Sequence, residues 1–169
     1  MPRDSQRQKI YDSEGVLPSQ SADVSVAEMQ AFVNKVCGSA LVQERWPSAK
    51  NPPRVTDGRG RSSSACYAPE DHTVRIPRHM RSRAVILHEV AHALTYDEKT
   101  PWHGWEFAEC FLYLVRVYMG RGHEESLRSQ YKIRKVKYKP PRKSRMTDEQ
   151  KAAAAERLAA ARAKRKTTT

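Results

Sequence analysis

Ser82-Arg83-Ala84-Val85-Ile86-Leu87-His88-Glu89-Val90-Ala91-His92-Ala93-Leu94-Thr95-Tyr96 is apolar on nearly every side, and its one narrow polar stripe is His88, Glu89 and His92. The stretch predicts a helix held in the core, and its stripe has the form H-E-x-x-H. Four-residue spacing puts both imidazoles on one face, about 5 to 6 Å apart, so two nitrogens can reach one ion. Glu89 is offset from His88 by about 100 degrees, close enough to take a proton from metal-bound water without joining the coordination sphere. Zinc lowers the pKa of that water to about 7, and a nearby carboxylate can then finish the deprotonation at neutral pH.

Coincidence is a poor explanation of the motif. With 6 His and 12 Glu in 169 residues, a shuffled sequence contains about 0.015 such matches. Three ionisable groups inside an apolar helix are also costly to bury unless something satisfies them. A catalytic zinc takes three protein ligands and leaves a position for water, so a third ligand is expected downstream. His103, eleven residues beyond His92 in Trp102-His103-Gly104-Trp105-Glu106-Phe107, is the favoured one. Gly104 would let the backbone pass close to the metal. Glu106 and Glu109, deeper in the following helix, are its rivals.

Working outward, Trp105 to Met119 carries Phe107, Phe111, Leu112, Leu114, Val115 and Tyr118 and predicts a second apolar helix ending at Gly120 and Gly122. A third, from His123 to about Tyr131, follows. Upstream, Val26, Met29, Phe32, Val33 and Val36 recur at helical spacing, with Ser25 or Asp23 as cap and Gly38 as the stop. Between these helices Arg54-Val55-Thr56, Ser64 to Ala68, and Thr73-Val74-Arg75-Ile76 read as short strands, the last two forming a hairpin across Pro69-Glu70-Asp71. The expected fold is therefore α+β: a small antiparallel sheet on helices. The first residues, Arg3 to Glu14, are compatible with a helix interrupted by Gly15 and Pro18, and their role is not evident from local pattern. The chain divides as an N-terminal segment 1–22, a domain over 23–131, and an extension over 132–169.

That extension holds the field. Residues 132–169 contain 14 Lys or Arg against 3 acids, whereas residues 1–131 hold 17 against 16, so nearly all of the net +12 lies in the tail. Pro140 and Pro141 keep its first part extended, and the Ala-rich segment from Thr147 to Lys164 is a good helix former. Such a tail, with Tyr131 and Tyr138 interleaved, either binds nucleic-acid phosphates nonspecifically or solubilises the chain. No apolar run approaches the roughly 20 residues of a membrane span, and the N-terminus has no signal-peptide core, so a cytoplasmic protein without membrane contact is expected. Cys37, Cys66 and Cys110 are far apart and odd in number, which reads as reduced core thiols rather than a disulfide framework or zinc ribbon.

H-E-x-x-H followed by a short loop and H-G-x-x-F resembles the SprT-like metalloproteases, which are minimal zincins. Residue by residue, the resemblance implies that His88, His92 and His103 bind zinc and that Glu89 is the base, with Gly104 and Phe107 completing the second motif. It covers roughly residues 80–110. Over its whole length the chain is similar to a small family of metallohydrolases from actinobacteria and their phages, whose opening looks like Arg3-Asp4-Ser5-Gln6-Arg7 with Tyr11 and Glu14. The basic tail stands where many SprT-like proteins carry a cysteine ribbon, so no second metal is implied.

Further candidates are weaker. Tyr96, one turn beyond His92, is a possible oxyanion donor; Trp102 and Trp105 flank His103 and either wall a cleft or fill the core. In zincin-like folds an edge strand holds an extended peptide, and Thr73 to Ile76 is the natural candidate. His72, His79 and His123 read as exposed or capping residues. Two functions remain in view: a zinc hydrolase of a peptide or protein substrate, and a non-catalytic zinc-stapled module that binds nucleic acid or another partner through its tail.

Overall fold

In the computed structural model, residues 3–18, 24–58, 64–140 and Glu156 are described. Among the described residues, six helices and a three-stranded sheet packed on helices make an α+β arrangement. Helix α4, Arg83–Thr95, runs through the middle. Ser82 caps it by accepting the Val85 N–H at 3.2 Å, and ten of its residues are buried, from Ala84 to Leu94 with only Val85 left partly open. A helix apolar on all sides needs neighbours on all sides. The sheet and α2, Val26–Cys37, supply one flank and α5, Trp105–Tyr118, supplies the other. Leu87 and Val90 of α4, Phe107 and Phe111 of α5, Val33 of α2 and Val74 of the sheet are fully buried together. Each such side chain contributes about 1.5–3 kcal/mol of burial.

Helix α2 starts as its sequence predicts, with Ser25 and Glu28 forming a reciprocal capping box. A short helix α3, Ala40–Arg45, follows Gly38; it has too few residues for periodicity to reveal it. Helix α5 ends at Tyr118, and Gly120 turns the chain at φ +105. Gly122 is not part of that stop, because α6, Arg121–Ile133, already includes it.

The sheet is mixed rather than antiparallel. β2, Cys66–Ala68, and β3, Thr73–Ile76, form the expected hairpin, but β1, Arg54–Asp57, pairs parallel to β3 on its other side, in the order β1-β3-β2. Val74 faces both Val55 and Tyr67 in register. Thr73, Val74 and Ile76 are all buried, as befits a strand with neighbours on both sides. Thr73 to Ile76 is thus the central strand, which removes it as a peptide-binding edge.

The N-terminal segment lies against this body. Helix α1, Arg7–Glu14, sits on α6 and buries Ile10, and Leu17 joins the same core. Past Ile133 the chain does not leave at once. Lys135 adopts φ +55, Val136 is buried, and the Lys137 N–H donates to Gln6 Oε1. No helix among the described residues is long and apolar enough to cross a membrane. The expected Ala-rich helix and the phosphate-binding stretch beyond Pro140 lie outside the described residues, apart from the exposed Glu156.

Candidate metal centre

His88 and His92 project from one face of α4, and His103 reaches them from the turn that precedes α5. All three are buried, and their ligand atoms lie within 4.8 Å of one another. The Nε2 atoms of His88 and His92 are 3.1 Å apart. Nitrogens bound tetrahedrally to one zinc at 2.0–2.1 Å would stand about 3.3 Å apart, so the spacing is that of a shared ion. His103 Nε2 is buried and has no partner, an orphan that a cation would satisfy.

The other edges of two rings are held. His88 Nδ1 is 2.7 Å from Glu14 Oε1, and His103 Nδ1 is 2.6 Å from Asp4 Oδ2. A carboxylate at Nδ1 retains the proton there and leaves the Nε2 lone pair free to coordinate. Both acids come from the N-terminal segment. Gln6, between them, donates from its amide to the His103 carbonyl at 3.0 Å and so ties that segment to the ligand turn.

Electrostatics agree with this arrangement. Burial and the neighbouring imidazoles drive His92 well below its ordinary pKa, so it is neutral as a ligand must be. Burial lowers His103 too, against the hydrogen bond that its Nδ1 makes to Asp4. For His88 burial pulls down, but the charge and hydrogen bond of Glu14 outweigh it and the net shift is upward.

Glu89 is buried beside them. Desolvation pushes its carboxyl up to about 7, opposed by His88 and by the Tyr67 backbone N–H that it accepts. Its Oε2 is buried without a hydrogen-bond partner. Glu89, His92 and His103 open on one cleft of about 590 Å³. Asp4, Arg7 and Tyr11 form one wall of it, and Ser64 to Tyr67, in and before β2, form another.

The structure therefore brings His88, Glu89, His92 and His103 together. It separates the rivals for third ligand. Glu109 pairs with Arg45 at 3.0 Å on a different surface. Glu106 folds back over its own helix start, where a Cβ on Gly104 would meet its Oε2 at 2.6 Å and the Pro101 carbonyl at 3.2 Å. That crowding, rather than an approach to the metal, is what suits glycine there. Trp102 lines the cleft with its ring 5.2 Å from that of His92, whereas Trp105 does not line it. Tyr96 lies tilted against Trp102, with ring centroids 5.4 Å apart, and borders a separate small hollow rather than the cleft. His72 bridges the Tyr67 hydroxyl and the Asn51 carbonyl, both at 2.8 Å, and serves the hairpin. His79 is exposed, and His123 lies at a hollow apart from the cleft.

Asp4, Glu14, Arg7 and Tyr11 are the residues that local reasoning missed. Their only signal was the family-like opening, which marked the positions without giving them a task. Compared with protein-family models, curated proteins and solved structures, the chain matches none. The site's chemistry rests on its geometry.

The cysteines also divide in an unexpected way. All are free, but only Cys37 and Cys110 are core thiols; Cys66 is half-buried and lines the cleft. Burial pushes Cys37 up to about 11 and Cys110 well above the usual thiol range, and alkylation needs the thiolate. Iodoacetamide at mildly alkaline pH is expected to label Cys66 first in the folded chain, with the other two reacting only on unfolding. Peptide mapping that found all three labelled at one rate would contradict the burial of Cys37 and Cys110.

Proposed function

We propose that the chain is a zinc-dependent hydrolase of peptide bonds, with His88, His92 and His103 holding the ion and Glu89 as general base. One observation carries the reading: three buried imidazoles have ligand atoms within 4.8 Å of one another, and two of them, His92 and His103, open beside the Glu89 carboxyl on a single cleft. Three nitrogen ligands with a position to spare suit catalytic zinc, whereas a structural site is closed by four. A structural site also has no need of the unpartnered Oε2 of Glu89.

When bound, the ion supplies a Lewis acid that acidifies water and polarises a carbonyl. Glu89 takes a proton from the attacking water as the water oxygen bonds to the carbonyl carbon, and the C=O π pair moves onto the carbonyl oxygen. As that pair returns and the C–N bond breaks, Glu89 gives the proton to the leaving nitrogen, yielding a carboxylic acid and an amine. Asp4 and Glu14 keep the imidazoles in the ligating tautomer throughout. β2 pairs with β3 alone among the described strands and borders the cleft, so an extended peptide is proposed to lie along it.

The full chain loaded with zinc is expected to cleave casein, to lose that activity to phenanthroline, and to regain it when zinc is restored. A chain that binds zinc stoichiometrically yet cleaves neither casein nor an unstructured peptide mixture would be a zinc-stapled binding module instead.

A further inference from the structure

Attack on a carbonyl builds negative charge on its oxygen, and a preorganised donor aimed there is among the largest contributions an enzyme makes. The phenols around this cleft are not equivalent. The Tyr67 hydroxyl is bonded to His72 at 2.8 Å, Tyr96 borders another hollow, and Tyr131 is wholly buried. Tyr11 lines the cleft and is 43% exposed. Its ring stacks on His88, with centroids 5.5 Å apart and planes at 15°, and lies 5.3 Å from the ring of His103. The phenol is thus fixed against two of the three imidazoles. Arg7, one turn earlier on α1, sets its guanidinium 5.6 Å from the Tyr11 ring centroid and so holds a positive charge against the phenol. The phenol hydroxyl has one hydrogen to give.

We propose that Tyr11 donates the hydrogen bond that stabilises the substrate oxyanion, and that Arg7 is the positioning residue that aims and polarises its hydroxyl. The inference rests on the hydrolase reading above. The π pair of the attacked carbonyl moves onto oxygen, the Tyr11 O–H shortens its hydrogen bond to that oxygen without giving up the proton, and the interaction relaxes when the C–N bond breaks.

The test uses the full chain with cobalt in place of zinc, acetohydroxamate as a small oxygen-donor probe, and the cobalt visible spectrum as readout. Tyr11→Phe keeps the ring and removes only the hydroxyl. It is expected to retain cobalt at the parent stoichiometry while binding acetohydroxamate about tenfold more weakly, the worth of one hydrogen bond of about 1.4 kcal/mol. Casein turnover of the zinc form is expected to fall about 100-fold at nearly constant KM, and Arg7→Ala is expected to show a smaller loss of the same kind. Equal acetohydroxamate affinity in parent and Tyr11→Phe overturns the proposal, as does loss of cobalt from Tyr11→Phe, which would make the phenol a mere support for His88. A parent chain that holds cobalt but binds no acetohydroxamate has no open position beside Tyr11, and that also overturns it. A parent chain that takes up no metal at all is a different failure, since it removes the hydrolase reading itself.

Discussion

Glu89→Gln is expected to lower peptide hydrolysis by about 10²- to 10⁴-fold while zinc remains bound. The amide has nearly the volume of the carboxyl and still offers an oxygen to the Tyr67 backbone N–H, so the helix and the three imidazoles have no reason to move. What disappears is the ability to accept a proton at the oxygen that now sits unpartnered in the cleft floor. Elemental analysis beside casein turnover separates the possibilities. Zinc lost together with activity would place Glu89 among the ligands, and turnover equal to the parent's would remove it from the chemistry.

The second large effect concerns residues far from the motif in sequence. Asp4→Ala and Glu14→Ala are each expected to weaken zinc binding by about 10- to 100-fold, because a histidine whose Nδ1 partner is gone loses both its orientation and part of its basicity. The double variant is not expected to show the product of the two losses, since both carboxylates act on the same ion. Competition against a chromophoric chelator measures this directly. Unchanged affinity in both variants would mean that the contacts at 2.6 and 2.7 Å merely fasten the N-terminal segment to the body.

The contrast between Glu89 and Glu14 explains what could be read from the sequence. Glu89, His88 and His92 share one helix, where a period of 3.6 converts spacing into geometry, and His103 follows after a single short loop. Helices α2 and α5 were legible for the same reason, since each buries a face that repeats along the chain, and α4 was legible as a long apolar run broken only by its polar stripe. Glu14 meets His88 across 74 positions and Asp4 meets His103 across 99, and no local periodicity encodes contacts of that range. The sheet divides similarly. Its hairpin is a local event and was expected. The parallel pairing of β1 with β3 depends on which strand is covered on both sides, and the burial of Thr73, Val74 and Ile76 becomes visible only once α4 and α2 are in place.

The N-terminal segment thereby changes meaning. Read along the chain it is a short polar helix of no evident role; in space, Asp4, Gln6, Arg7, Tyr11 and Glu14 all lie at the ligand cluster or its cleft wall. The segment is anchored by Ile10 in the core and by Gln6, which spans the His103 carbonyl and the backbone of Lys137.

The most direct test is the metal content of the purified full chain after exposure to zinc and removal of the excess. One zinc per chain is predicted, with His88→Ala, His92→Ala and His103→Ala each losing it while remaining folded by circular dichroism. A folded parent chain that retains no zinc, or a His103→Ala variant that holds it as tightly as the parent, would contradict the three-histidine centre.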